Sequence, residues 1–121
     1  MNRALRAVLL AQAAWYIVSG LVSLMSRELF EAVTGPKQDY WLVRMVGLLA
    51  VVIGAAIGVG ARGRRRTPEL LTLSIGSALA FAAVDLTYGL SGVISPVYVA
   101  DGIVELALAS GALVLSLRSR A

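Results

Sequence analysis

Asp101 and Glu105 stand four residues apart in a stretch, Val97 to Leu117, that is otherwise uncharged and strongly apolar. On a helix that spacing puts both carboxyls on one face. Two like charges there repel, and apolar surroundings raise the cost, so such a pair must hold a proton, bind a cation or open to water. Two more charges interrupt apolar runs: Asp85 within 70–90 and Arg44 within 41–61. A guanidinium suits a bidentate buried pair, so Arg44 with Asp85 or Asp101 is the expected ion pair. One arginine cannot neutralise three acids. Tyr88, one turn from Asp85, is placed to donate a hydrogen bond into the same group. Acid–base chemistry by a buried carboxyl with Tyr16 or Tyr88 is conceivable, but nothing in the sequence requires it. The chain has no Cys and no His, which removes thiol chemistry, thiolate metal sites and the imidazole base. Two carboxylates on one helix are a weak signal for a hard cation. No phosphate-cradling loop, catalytic residue, metal or cofactor is predicted, and the reading leans away from an enzyme.

The elements that carry these groups follow from hydropathy. Of the 121 residues 59% are hydrophobic and 15% charged, more apolar surface than a water-soluble domain of this size hides, since a small domain buries only about 60–70% of what its unfolded chain exposes. Crossing a hydrocarbon core takes about 20 apolar residues. Four runs qualify, roughly 7–25, 41–61, 70–90 and 97–117, and predict an all-α, four-helix transmembrane bundle forming one domain over 1–121. Thr67-Pro68-Glu69 supplies an N-cap hydroxyl, a first-turn proline and a first-turn acid to the third run. Ser95-Pro96 opens the fourth in a similar way. Between the first two runs, residues 26–33 form either a loop or a short amphipathic helix with Leu29, Phe30 and Val33 toward lipid. The first run is too long and continuous for a signal peptide.

Basic residues set the orientation. Arg3 and Arg6, then Arg62, Arg64, Arg65 and Arg66, then Arg118 and Arg120 flank one set of span ends. The other ends have only Arg27 and Lys37, beside Glu28, Glu31 and Asp39. Cytoplasmic segments retain Lys and Arg. Both termini and the arginine-rich connector are therefore expected in the cytoplasm, with the protein multi-pass in a bacterial cytoplasmic (inner) membrane. The net charge of +4 is then a topology signal, and no nucleic-acid partner is predicted. The asymmetry makes any homo-oligomer parallel; another membrane protein is the alternative partner besides the lipid bilayer.

That topology also fixes depth. At about 1.5 Å per residue, Arg44 lies roughly 5 Å below the Trp41 end of its span, Asp85 roughly 8 Å below Leu90, and Asp101 and Glu105 roughly 6 and 12 Å below Val97. All four fall in the outer half, and a charge near the bilayer centre costs at least about 2.5–3.5 kcal/mol. One cluster of Arg44, Asp85, Tyr88, Asp101 and Glu105 is the expected arrangement. A second polar stripe, Gln12, Tyr16, Ser19 and Ser23, repeats at three and four residues down the first helix. With Trp15 it either lines a pocket continuous with the acids or packs between helices. Tyr40, Trp41, Tyr88 and Tyr98 are expected as aromatic-belt anchors. Gly54 and Gly58, with Gly47, Ala50 and Ala61, make a small-residue stripe suited to close packing within the chain.

The stretches from Phe30 to Arg44 and from Ser95 to Glu105 resemble segments of small, uncharacterised bacterial membrane proteins. The architecture, and the Arg44-Met45-Val46-Gly47 entry into a glycine-rich second helix, resemble DoxX-like four-helix proteins. That resemblance implies a link to membrane-bound redox or stress systems and carries over no catalytic residue. Small multidrug transporters share the size and span number, but their first helix bears an embedded Glu where this chain has only Gln12. The functional expectation is a non-enzymatic membrane protein that binds a small cationic or amphipathic ligand, or a partner, through the acidic cluster. The alternatives are an accessory subunit whose polar groups only lock helices together, and a small proton-coupled transporter with Glu105 as its titrating group.

Overall fold

The computed structural model describes residues 1–63 and 65–118. Arg64 and Arg120, counted above among the basic residues, lie outside the described residues. The described chain is helical, with no strand: α1 Arg3–Met25, α2 Arg27–Thr34, α3 Tyr40–Arg62, α4 Pro68–Leu90 and α5 Val97–Arg118. α1, α3, α4 and α5 are each long and apolar enough to cross a membrane, the pattern of a multi-pass membrane protein. They extend the expected runs by up to a turn, because the flanking arginines and caps continue the same helices into polar surroundings.

Local chemistry fixes the ends. Asn2 accepts from the Leu5 backbone N–H at 2.7 Å, and Thr67 accepts from Leu70 at 3.1 Å with Pro68 at the first helical position. Residues 26–33 take the helical alternative. The Ser26 hydroxyl ends α1 and caps α2, accepting from Leu29 at 3.1 Å. Leu29 and Val33 are exposed on α2, while Phe30 turns inward and meets the Tyr40 ring edge-on at 6.3 Å. Glu31 accepts from Arg27 at 2.9 Å and from the Lys37 backbone N–H at 2.6 Å, and these contacts hold its carboxyl below the usual carboxylate range.

The long helices pack in a cyclic order: α3 on α1, α1 on α5, α5 on α4, and α4 back on α3. The α1–α3 seam is the closest. A Cβ on Gly20 would lie 2.5 Å from the Gly47 carbonyl oxygen, and one on Gly54 would lie 2.9 Å from the Ala13 carbonyl oxygen, so glycine lets the two backbones touch. Gly58 also faces Ala13, so the small-residue stripe of α3 is used within the chain. Tyr40 is buried and donates to the Ser23 carbonyl at 2.7 Å, a role different from the surface anchor expected of it. Outward faces carry Leu10, Val18, Leu48, Val52, Leu79, Ile103 and Leu113, the apolar exterior a lipid-embedded helix needs.

Candidate functional site

Three helices present one polar stripe each to a common interior. On α4 the buried positions are Leu70, Ser74, Ala78, Ala82, Asp85 and Gly89; on α5 they are Gly102, Glu105, Ala109, Ala112 and Ser116. The spacing of three and four makes each set one helix face. Gly102 sets how closely those faces meet. A Cβ there would fall 2.9 Å from the Leu86 side chain and 3.2 Å from the Asp85 Cβ, so the missing side chain is what admits Asp85 beside α5.

From α1 the polar groups reach across. The Ser74 hydroxyl donates to the Gln12 side-chain oxygen. Gln12 Nε2 donates to the Ser74 carbonyl at 2.9 Å and to the Tyr16 hydroxyl oxygen at 3.1 Å. The Tyr16 hydroxyl donates to Glu105 Oε2 at 2.7 Å, and Trp15 Nε1 donates to Asp101 Oδ1 at 2.8 Å. Phe81 closes one side of this chain, its ring edge-on to Tyr16 at 5.3 Å. Gln12 and Glu105 are 0% and 1% exposed, so the chain from Ser74 to Glu105 is dry; Trp15, at 43%, is the member open to the surface.

Asp85 stands at the end of this chain. It is 5% exposed, its neighbours are Asp101 and Glu105, and its Oδ2 has no hydrogen-bond partner among the described residues. Tyr98 is near both aspartates, with its hydroxyl beside Thr34 and the Lys37 ammonium 5.3 Å from its ring centroid. The polar groups therefore continue from Ser74 to the end of the molecule that carries α2.

Asp85 lies beside Asp101, with Glu105 in the same neighbourhood. The expected Arg44 pairing does not form. Arg44 is exposed on α3 with its guanidinium 5.4 Å from the centroid of the Tyr40 ring, and the one salt bridge among the described residues joins Arg27 to Glu31 at 2.9 Å. The reason is topological: α3 uses its buried stripe against α1, while the acids lie between α4 and α5. Tyr88 is likewise outside the group, 46% exposed and without a side-chain hydrogen bond among the described residues. Of the α1 residues, Gln12, Trp15 and Tyr16 join the acids; Ser19 is half-buried and joins none, and Ser23 belongs to the α3 seam, where it faces Gly47. Two residues escaped the sequence reading. Ser74 shares the face of Asp85 through steps of four, four and three, a signal present in the spacing. Gly102 was not singled out, although it is the neighbour of Asp101.

The site offers carboxylates without a protein cation, two hydrogen-bond donors already engaged, and an indole at its mouth. The described residues hold no three acidic side chains disposed around one point as metal ligands. Comparison with protein-family models, with curated proteins and with solved structures finds no match.

Proposed function

We propose that this chain is a non-enzymatic membrane protein whose acidic seam takes a small organic cation. The observation that carries the reading is that Asp85, with Asp101 beside it and Glu105 in the same neighbourhood, has among the described residues no Lys or Arg in ion-pair contact, and that one buried oxygen, Asp85 Oδ2, has no partner there. A buried acceptor left unmade costs about 1–3 kcal/mol, and a cationic or hydrogen-bonding ligand removes that cost. The Trp15 indole beside Asp101 supplies an aromatic face at which a desolvated cation gains about 2 kcal/mol. The test uses purified protein and tetraphenylphosphonium. Saturable binding that weakens at least tenfold in Asp101→Asn supports the site, and a cation that binds wild type and variant alike rejects it.

In this reading the four long helices form a transmembrane bundle in a bacterial cytoplasmic membrane, with both termini and the arginine connector inside and the acids in the outer half. The lysine and arginine distribution supports that orientation. The absence of native cysteine makes single-cysteine labelling direct: Gln38→Cys should react with an impermeant maleimide on intact cells and Arg65→Cys should not. DoxX-like proteins stay the family proposed by the sequence resemblance, and a parallel homo-oligomer the assembly its charge asymmetry favours.

A second reading has its own observation. The Ser74–Gln12–Tyr16–Glu105 bonds are satisfied, and two surface cavities of about 510 and 440 Å³ are lined by Ala55, Val59 and Leu73 and by Lys37, Val93 and Pro96 respectively, away from the acids. An accessory subunit that uses its polar groups as helix locks accounts for both. Loss of folding without any cation binding in the same experiment selects it.

A further inference from the structure

The proton inventory of the acidic seam goes further than the cation site, on which this inference rests. Each acid is distinguished by what donates to it. Glu105 accepts the Tyr16 hydroxyl at 2.7 Å and Asp101 accepts the Trp15 indole N–H at 2.8 Å, so each has a donor at one oxygen. Asp85 accepts nothing at Oδ2, is buried, and faces Asp101. Two ionised carboxyls are acceptors only and can form no hydrogen bond with each other; one protonated carboxyl is also a donor. A single proton on Asp85 makes its carboxyl a donor as well as an acceptor, which turns the Asp85–Asp101 contact from a repulsion into a hydrogen bond. The groups that face Asp85 offer no other remedy. On α5 these are Tyr98, Asp101 and Glu105; elsewhere, Tyr16 of α1 is committed to Glu105 and Lys37, after α2, to the Thr34 and Gly35 carbonyls at 2.8 Å each. Arg44 is turned toward Tyr40.

We propose that the arriving cation displaces a proton held by Asp85, so that the site exchanges one proton for each cation bound. The charge balances: the carboxyl O–H bond breaks, the proton leaves to solvent, and the carboxylate left behind pairs with the ligand's positive charge. Glu105, the residue the spacing alone suggested for titration, keeps its Tyr16 bond and is not the exchanging group.

Two measurements decide this. Infrared spectra of the cation-free protein at neutral pH should contain a protonated-carboxyl C=O band that Asp85→Asn removes and Tyr88→Phe leaves in place. The absence of that band in the wild-type protein overturns the inference whether or not a ligand is found. Calorimetric titration with tetraphenylphosphonium in buffers of different ionisation enthalpy should give one proton released per cation, with affinity rising about tenfold per pH unit while the proton is held. Binding with no proton release sinks the exchange and leaves the cation site standing. No binding at all removes the site and the exchange together.

Discussion

The two faces of α1 are built on opposite principles. Toward α3, Ala13, Gly20 and Ser23 meet Gly47 and Gly54 with backbones in contact. Lipid is as apolar as any side chain, so what holds that seam is close packing of small residues. Toward α4 and α5, the same helix presents Gln12, Trp15 and Tyr16, each with a hydrogen bond across to a partner helix. One seam is specified by shape and the other by donors and acceptors. The difference teaches that a polar group inside these helices is not in itself a sign of function. Gln12 and Ser74 are paired with each other; among the described residues the buried side-chain oxygen left without a partner is Asp85 Oδ2.

Substitutions should separate the two seams. The largest effect is expected where backbone as well as side chains stand in the way. Gly47→Leu drives a side chain into Ser23, and overpacking of that kind costs about 1–3 kcal/mol or more; thermal unfolding in detergent should show a large loss of stability, and a fold that tolerates leucine there would break the shape argument. Next, Tyr16→Phe leaves Glu105 without its donor. A double-mutant cycle with Glu105→Gln should return a coupling of about 0.6–1.7 kcal/mol, the range for hydrogen bonds between membrane helices. A coupling near zero would mean the buried chain contributes nothing to holding α1 on α5.

Smaller effects sit at the ends of the helices. The Glu31 carboxyl lies below its ordinary value in the folded chain, held by the Lys37 N–H and the Arg27 guanidinium. Its contribution is therefore present above the unfolded carboxylate pKa and lost as pH falls through the folded one. Amide exchange across 27–37 should accelerate on acidification through that window, and Glu31→Gln should abolish the pH dependence. The smallest change is expected at Arg44, which has no acidic partner among the described residues: Arg44→Gln should alter stability by within about 0.5 kcal/mol, as for surface substitutions. A loss of several times that would show that the guanidinium is tied to the acids after all.

Much of this protein was legible in its residues. The four apolar runs and the Thr67 cap depend on local composition and periodicity, which act through the nearest turn of chain, whereas the segment after Ser26 stayed open between loop and helix and the Asn2 cap was not singled out. Which helix neighbours which is a different kind of information. Arg44, Asp85 and Asp101 have overlapping depths, and nothing in their spacing says that α3 packs on α1 while α4 packs on α5.

The sequence by itself determined the number of spans, the polar faces and the excess of acid over base among the buried charges, because each is a sum or a period along one helix. Tertiary structure alone decided the partners. It gave Glu105 the Tyr16 hydroxyl, gave Asp101 the Trp15 indole, turned Arg44 onto Tyr40 and left one oxygen of Asp85 unpaired. The physical reason is that a hydrogen bond or ion pair forms only within about 3–4 Å, and that distance between helices is set by where glycines such as Gly20, Gly47 and Gly102 allow two backbones to approach.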